Sequence, residues 1–126
     1  MGFRVVVAGD SAGVGYKNTI KADLENDPRI DEVIDAGINE GEDVDYPHIA
    51  VNAARMIAEG KADRGVFICG TGLGVAMAAN KVKGIRAAQE AKVRDLAREA
   101  DQGRQTFAEA ARPVLESLMR ETGAAV

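Results

Sequence analysis

The chain has no Trp, three Phe, two Tyr, one Cys, one His and three Pro among its 126 residues. A single Cys cannot close an internal disulfide, and one Cys with one His leaves too few soft ligands for a structural zinc site. No run of Lys or Arg stands out, and the formal charge of -4 with a pI near 5.0 provides no positive field for phosphodiester backbones. Nucleic acid is therefore not an expected partner. No apolar stretch approaches the roughly 18–20 residues of a membrane helix, so no membrane association is expected. The opening "MGFRVVVAGD" lacks a signal peptide's basic region and cleavage site, and Val6 stands where a myristoylation motif needs Ser or Thr. A cytoplasmic protein is the expectation. What the chain does have is 46% apolar and 29% charged residues, enough for one compact domain with a core built from Ala and Val.

"FRVVVAG" (3–9) is a continuous, β-branched apolar run ending at Gly, the pattern of a parallel strand buried on both faces. Residues 13–26 follow with Tyr16, Ile20 and Leu24 at spacing four and charges between them, an amphipathic helix closed by "NDP". "DEVIDAG" (31–37) reads as a second strand. A polar loop leads to "YPHIAVNAARMIAEG", a helix with Pro47 in its first turn and Gly60 as its stop. "RGVFICG" (64–70) is a third strand, "LGVAMAANK" a helix and "GIRAA" (84–88) a short fourth strand. Strands alternating with helices imply right-handed crossovers and a doubly wound sheet. Residues 89–126 are rich in Ala, Glu and Arg; they read as a mainly helical tail with helices at roughly 89–101 and 105–121 and no clear strand.

Ligands of such sheets bind beyond the carboxyl ends of the strands, at the switch point. Two loops belong there: "AGDSAG" (8–13) after strand one and "CGTGLG" (69–74) after strand three. The glycines of the second loop let backbone amides approach a ligand, and the helix that follows adds the positive end of its dipole. The same field favours a thiolate at Cys69, which could then take a proton from carbon, with the amides of residues 70–74 stabilising the resulting anion. Cys69 could equally be a small apolar filler at a strand end. Val75 occupies the place of the third Gly in a dinucleotide fingerprint, and no phosphate-loop motif occurs. The loops also lack aromatics to stack on a flavin or nucleotide, so no cofactor is expected.

Asp10 could hold substrate hydroxyls or cap the first helix, and Ser11 could cap it or meet an anion. Asn80 reads as a helix-end residue, His48 as a surface residue of a first helical turn, and Arg86 could face the crevice or pair with a carboxylate.

"AGDSAG", "DYP" (45–47), "ICGTGLG" (68–74) and "AANKVKGIRAA" (78–88), in this order and spacing, resemble the ribose-5-phosphate isomerase B family, which includes the galactose-6-phosphate isomerase subunits. The resemblance covers about the first 88 residues. It implies a flavodoxin-like, Rossmann-like three-layer αβα sandwich with a parallel sheet of four or five strands. It also implies a metal-independent aldose-ketose isomerase of phosphorylated sugars working through a cis-enediol, as a homodimer or homotetramer with sites between subunits. Carried onto matching positions, Cys69 is the base. Gly70, Gly72 and Gly74 stabilise the enediolate, Thr71 assists near the sugar oxygens, and Asp10 and Asn80 share the pocket.

The chain departs from the family pattern in two places. Ser11 replaces a phosphate-binding His, as in the D-erythrulose-4-phosphate isomerase branch, which points to a four-carbon substrate. Beyond "GIRAA" the usual His-Asp pair, fifth strand and Gly-x-Arg turn have no clear counterparts, although "AARPV" (110–114) can be aligned so that Arg112 becomes the phosphate-binding arginine. The competing expectation is an inactive or re-tailed relative that serves as a binding or assembly subunit.

Overall fold

The computed structural model describes residues 2–88 and, further on, the backbone of residues 124–125. In chain order its elements are β1 (Phe3–Gly9), α1 (Val14–Glu25), β2 (Ile30–Asp35), α2 (Tyr46–Ala58), β3 (Arg64–Ile68), α3 (Leu73–Asn80), β4 (Arg86–Ala87) and β5 (Ala124–Ala125). They form one parallel sheet in the order β2-β1-β3-β5-β4. Three full strands and two two-residue segments thus give the expected flavodoxin-like sheet.

β1 explains why the fold has three layers. Side chains alternate across a strand, and both sets in β1 are apolar. Val6 and Ala8 join Ile49, Ala50, Ala53 and Ala54 of α2 and Val75 and Ala79 of α3, while Val5 and Val7 join Ile20 and Leu24 of α1. All four β1 residues have 0% exposure, so helices must cover both faces. Lys17, which the sequence places among the charged positions between apolar ones, is instead fully buried on α1.

α2 starts with Tyr46 and Pro47 after an extended Asp45, and its end is closed by backbone alone. Gly60 adopts a left-handed φ of 77°, and the N–H groups of Gly60 and Lys61 donate to the carbonyls of Ile57 and Met56 at 3.0 and 2.8 Å. This paired closure satisfies carbonyls that a helix end otherwise leaves open.

The helices expected over 89–101 and 105–121, with Arg112, lie outside the described residues. The tail was expected to hold no clear strand, yet Ala124–Ala125 forms β5, inserted between β3 and β4 with Gly65 and Ala87 both in register with Ala125. A bare strand edge demands a partner for its N–H and C=O groups, and two alanines suffice. They carry no β-branched or alternating signature by which a strand could be read.

Candidate active site

From β1 the chain turns to β2 on one side, while β3 lies on the other. The loops leaving β1 and β3 therefore abut. The Asp10 N–H donates to the carbonyl of Ile68 at 3.1 Å, and a Cβ on Gly70 would stand 3.9 Å from that of Ala12. Gly13 lies so close against the Ile68 carbonyl that any side chain there would overlap it. Glycine is the one residue that lets α1 begin this near to β3.

Cys69 follows directly on β3 and is half-buried. One flank of it packs against the α2/α3 core, and its Sγ accepts the N–H of Gly72 at 3.2 Å. Gly72 is the N-cap of α3 and adopts φ 79°, a left-handed conformation that costs a residue with a Cβ roughly 1–2 kcal/mol. That turn is what directs the amide back onto the sulfur. An N–H donor at a helix N-terminus stabilises negative charge there. Cys69 thus fills space on one side and meets a backbone N–H on the other.

The rest of the glycine loop divides into amides already used and amides still open. Leu73 N–H donates to Thr71 Oγ1 at 3.2 Å, and Gly72 N–H is taken by the sulfur. The N–H groups of Gly70 and Gly74 have no protein partner among the described residues. The Tyr46 ring lies directly against Gly74, which places an aromatic side chain at the rim of the loop.

On the facing loop, Asp10 Oδ1 accepts the N–H groups of Ala12 and Gly13, both at 3.0 Å, and so braces the turn into α1. Its Oδ2 has no partner among the described residues. Ser11 is exposed, and α1 has no side-chain cap, so its hydroxyl is not spent on the helix. Asp10, Ser11, Cys69, Gly70, Thr71, Gly72 and Gly74 thus stand on two loops in contact.

Asn80 is the last residue of α3, about 12 Å along the axis from Gly72 at 1.5 Å per residue. Its Nδ2 donates to the Ala87 carbonyl at 2.7 Å and its Oδ1 accepts the Ala87 N–H at 2.8 Å. His48 is exposed in the first turn of α2, and Arg86 is exposed on β4. No group of three or more His, Cys, Asp and Glu among the described residues could hold a metal ion.

One cluster beside the site was not foreseen. Lys17, at 0% exposure, donates through Nζ to both oxygens of Asp35 at 2.8 Å, and Lys21 reaches Asp35 Oδ2 at 3.4 Å. Burial pushes the Asp35 carboxyl up, but Lys17, the Gly37 N–H and Lys21 together outweigh that and hold it below its ordinary value. The signal was present in the sequence: Lys17, Ile20 and Leu24 at i, i+3 and i+7 share one helix face.

The switch point of a flavodoxin-like sheet, where this sulfur meets a helix N-terminus, is where ligands of open α/β sheets generally bind. Comparison with known proteins narrows the class. The family model for ribose/galactose isomerases matches residues 5–116, and the chain belongs to that family. The match runs past residue 88, where the resemblance was expected to stop. Among curated relatives, D-erythrulose-4-phosphate isomerase 2 of Mycolicibacterium smegmatis is 53% identical over 88 residues, covering 69% of this chain and 58% of that protein. Ribose-5-phosphate isomerase B of Escherichia coli is 47% identical over 78 residues, covering 62% and 51%. The aligned stretches thus span little more than half of these relatives. A ribose 5-phosphate isomerase structure from Thermotoga maritima superposes with a TM-score of 0.77 at 33% identity, covering 95% of this chain and 88% of that one.

Proposed function

We propose that the protein is a metal-independent aldose-ketose isomerase of a phosphorylated sugar, acting through a cis-enediol with Cys69 as the base. The observation that carries this reading is the half-buried Cys69, whose sulfur accepts the Gly72 N–H at the start of α3, on a loop that abuts the Asp10 loop. In the ketose-to-aldose direction the thiolate removes a proton from C1, and the C1–H electron pair forms the C1=C2 double bond. The carbonyl oxygen on C2 takes up negative charge. The open N–H groups of Gly70 and Gly74 are suited to meet that oxygen. The proton on sulfur returns to C2 while the hydroxyl proton passes from O1 to O2, which leaves an aldehyde at C1. Asp10 Oδ2 is available to a substrate hydroxyl, with Ser11 next to it in sequence and Thr71 on the facing loop.

A four-carbon sugar phosphate is the preferred substrate in this reading, with ribose or ribulose 5-phosphate next. Ser11 in place of a phosphate-binding His and the 53% identity to a protein named for D-erythrulose 4-phosphate both favour it. A tetrulose phosphate also has no free terminal hydroxyl with which to close a stable ring, so it needs no ring-opening residue. The proposal includes Arg112 as a phosphate ligand, a cytoplasmic setting that keeps the one thiol reduced, and a homodimer or homotetramer. Leu73 and Met77, exposed at 48% and 61% one turn apart on α3, support a second copy beside the site. Sedimentation of a monomer at micromolar concentration would count against that assembly.

The test is incubation in D2O with D-erythrulose 4-phosphate, D-ribulose 5-phosphate and D-tagatose 6-phosphate while the C1 proton signals are followed by NMR. Loss of signal fastest with the tetrulose supports the reading. Silence with all three supports the non-catalytic assembly subunit instead.

A further inference from the structure

We infer that the buried Lys17–Asp35 ion pair is a positioning device, a clasp that holds both ends of the loop carrying Asp10 and Ser11. The two partners act on opposite ends of residues 9–13. At the front, Asp35 Oδ1 accepts the Gly37 N–H at 2.9 Å, and Gly37 in turn accepts the Gly9 N–H through its carbonyl at 2.8 Å. The Ile38 N–H returns to the Gly9 carbonyl at 2.9 Å, so the residue just before Asp10 is pinned on both its polar groups.

At the back, the Lys17 N–H donates to the Gly13 carbonyl at 2.8 Å, forming the first turn of α1. Gly13 itself donates to Asp10 Oδ1 at 3.0 Å. The Lys17 side chain then reaches Asp35, with Nζ 2.8 Å from each carboxylate oxygen and none of the residue exposed. A fully buried ammonium held by both oxygens of one carboxylate fixes the distance between the start of α1 and the end of β2. The loop between them has no helix cap of its own and carries an exposed Ser11 and Ala12. Asp10 Oδ1 braces the loop internally, and the one ion pair sets where both ends of that braced loop stand.

The test compares the wild type with the Lys17→Met/Asp35→Leu double variant, which removes both charges together and leaves no lone buried ion to unfold the chain. Amide hydrogen exchange is read residue by residue alongside thermal melting. The clasp predicts at least tenfold faster exchange at Gly9, Ala12 and Gly13 with Val66 of β3 unchanged and melting close to the wild type. Wild-type protection at all three loop amides would overturn it, and so would an equal loss throughout β1 and β3. A kinetic arm rests on the isomerase reading: kcat should fall tenfold or more with Asp10 misplaced, while wild-type kcat and KM in the double variant would also overturn the clasp. A wild type that turns over no sugar counts against the isomerase reading alone, and the exchange rates still decide the clasp.

Discussion

Two ion pairs at the residue scale illustrate how environment decides the worth of a charge. Arg4 and Asp63 meet through a 2.9 Å bond but are each more than a third exposed, so water screens them and removing the pair should change little. Lys17 is fully enclosed, so Asp35→Ala should cost about 3–5 kcal/mol, the range for stranding a buried charge. The pH dependence follows from the direction of the Asp35 shift. Its folded carboxyl titrates below its unfolded value of about 3.9, so the pair's contribution is complete above that pH and is lost as pH falls through the lower, folded value. Thermal melting followed from pH 6 to pH 2 should therefore decline below about pH 4, and the decline should be shallower in Lys17→Met/Asp35→Leu. Cys69 and Asp10 were legible as residues because strand ends beside Gly mark the switch point. The Asp35 partner of Lys17 was not, since no local pattern joins positions 18 residues apart.

At the scale of elements, β1, α1, α2, β3 and α3 were readable within a residue or two, because each carries an unbroken apolar period and a Gly or Pro at its end. β5 was not readable, since two alanines become a strand only through the edges on either side of them. β4 is similarly short, and what anchors it is Asn80, whose carboxamide mimics a neighbouring strand by bonding both polar groups of Ala87. Asn80→Ala should lower stability by about 0.5–1.5 kcal/mol, the net worth of a hydrogen bond whose groups water can take over. Asn80→Asp keeps the acceptor but loses the donor to the Ala87 carbonyl, so it should recover only part of the loss. Urea unfolding of the three proteins checks the order; an Asn80→Ala midpoint equal to the wild type would show that β4 is anchored otherwise.

For the whole molecule, the sheet order is the feature from which the site follows. A reversal between β1 and β3 brings two loops of separate sequence origin together, and a left-handed glycine then turns a helix amide onto the only thiol in the chain. Membership of the ribose/galactose isomerase family agrees with that geometry. The most direct measurement of the central claim is C1 proton exchange of D-erythrulose 4-phosphate in D2O, comparing wild type with Cys69→Ala after matched melting curves confirm folding. The expected result is exchange in the wild type that falls by about 10²–10⁴-fold in the variant, the scale of a lost general base. Exchange in Cys69→Ala at the wild-type rate would contradict the account, because the proton would then be moved by a group other than this sulfur.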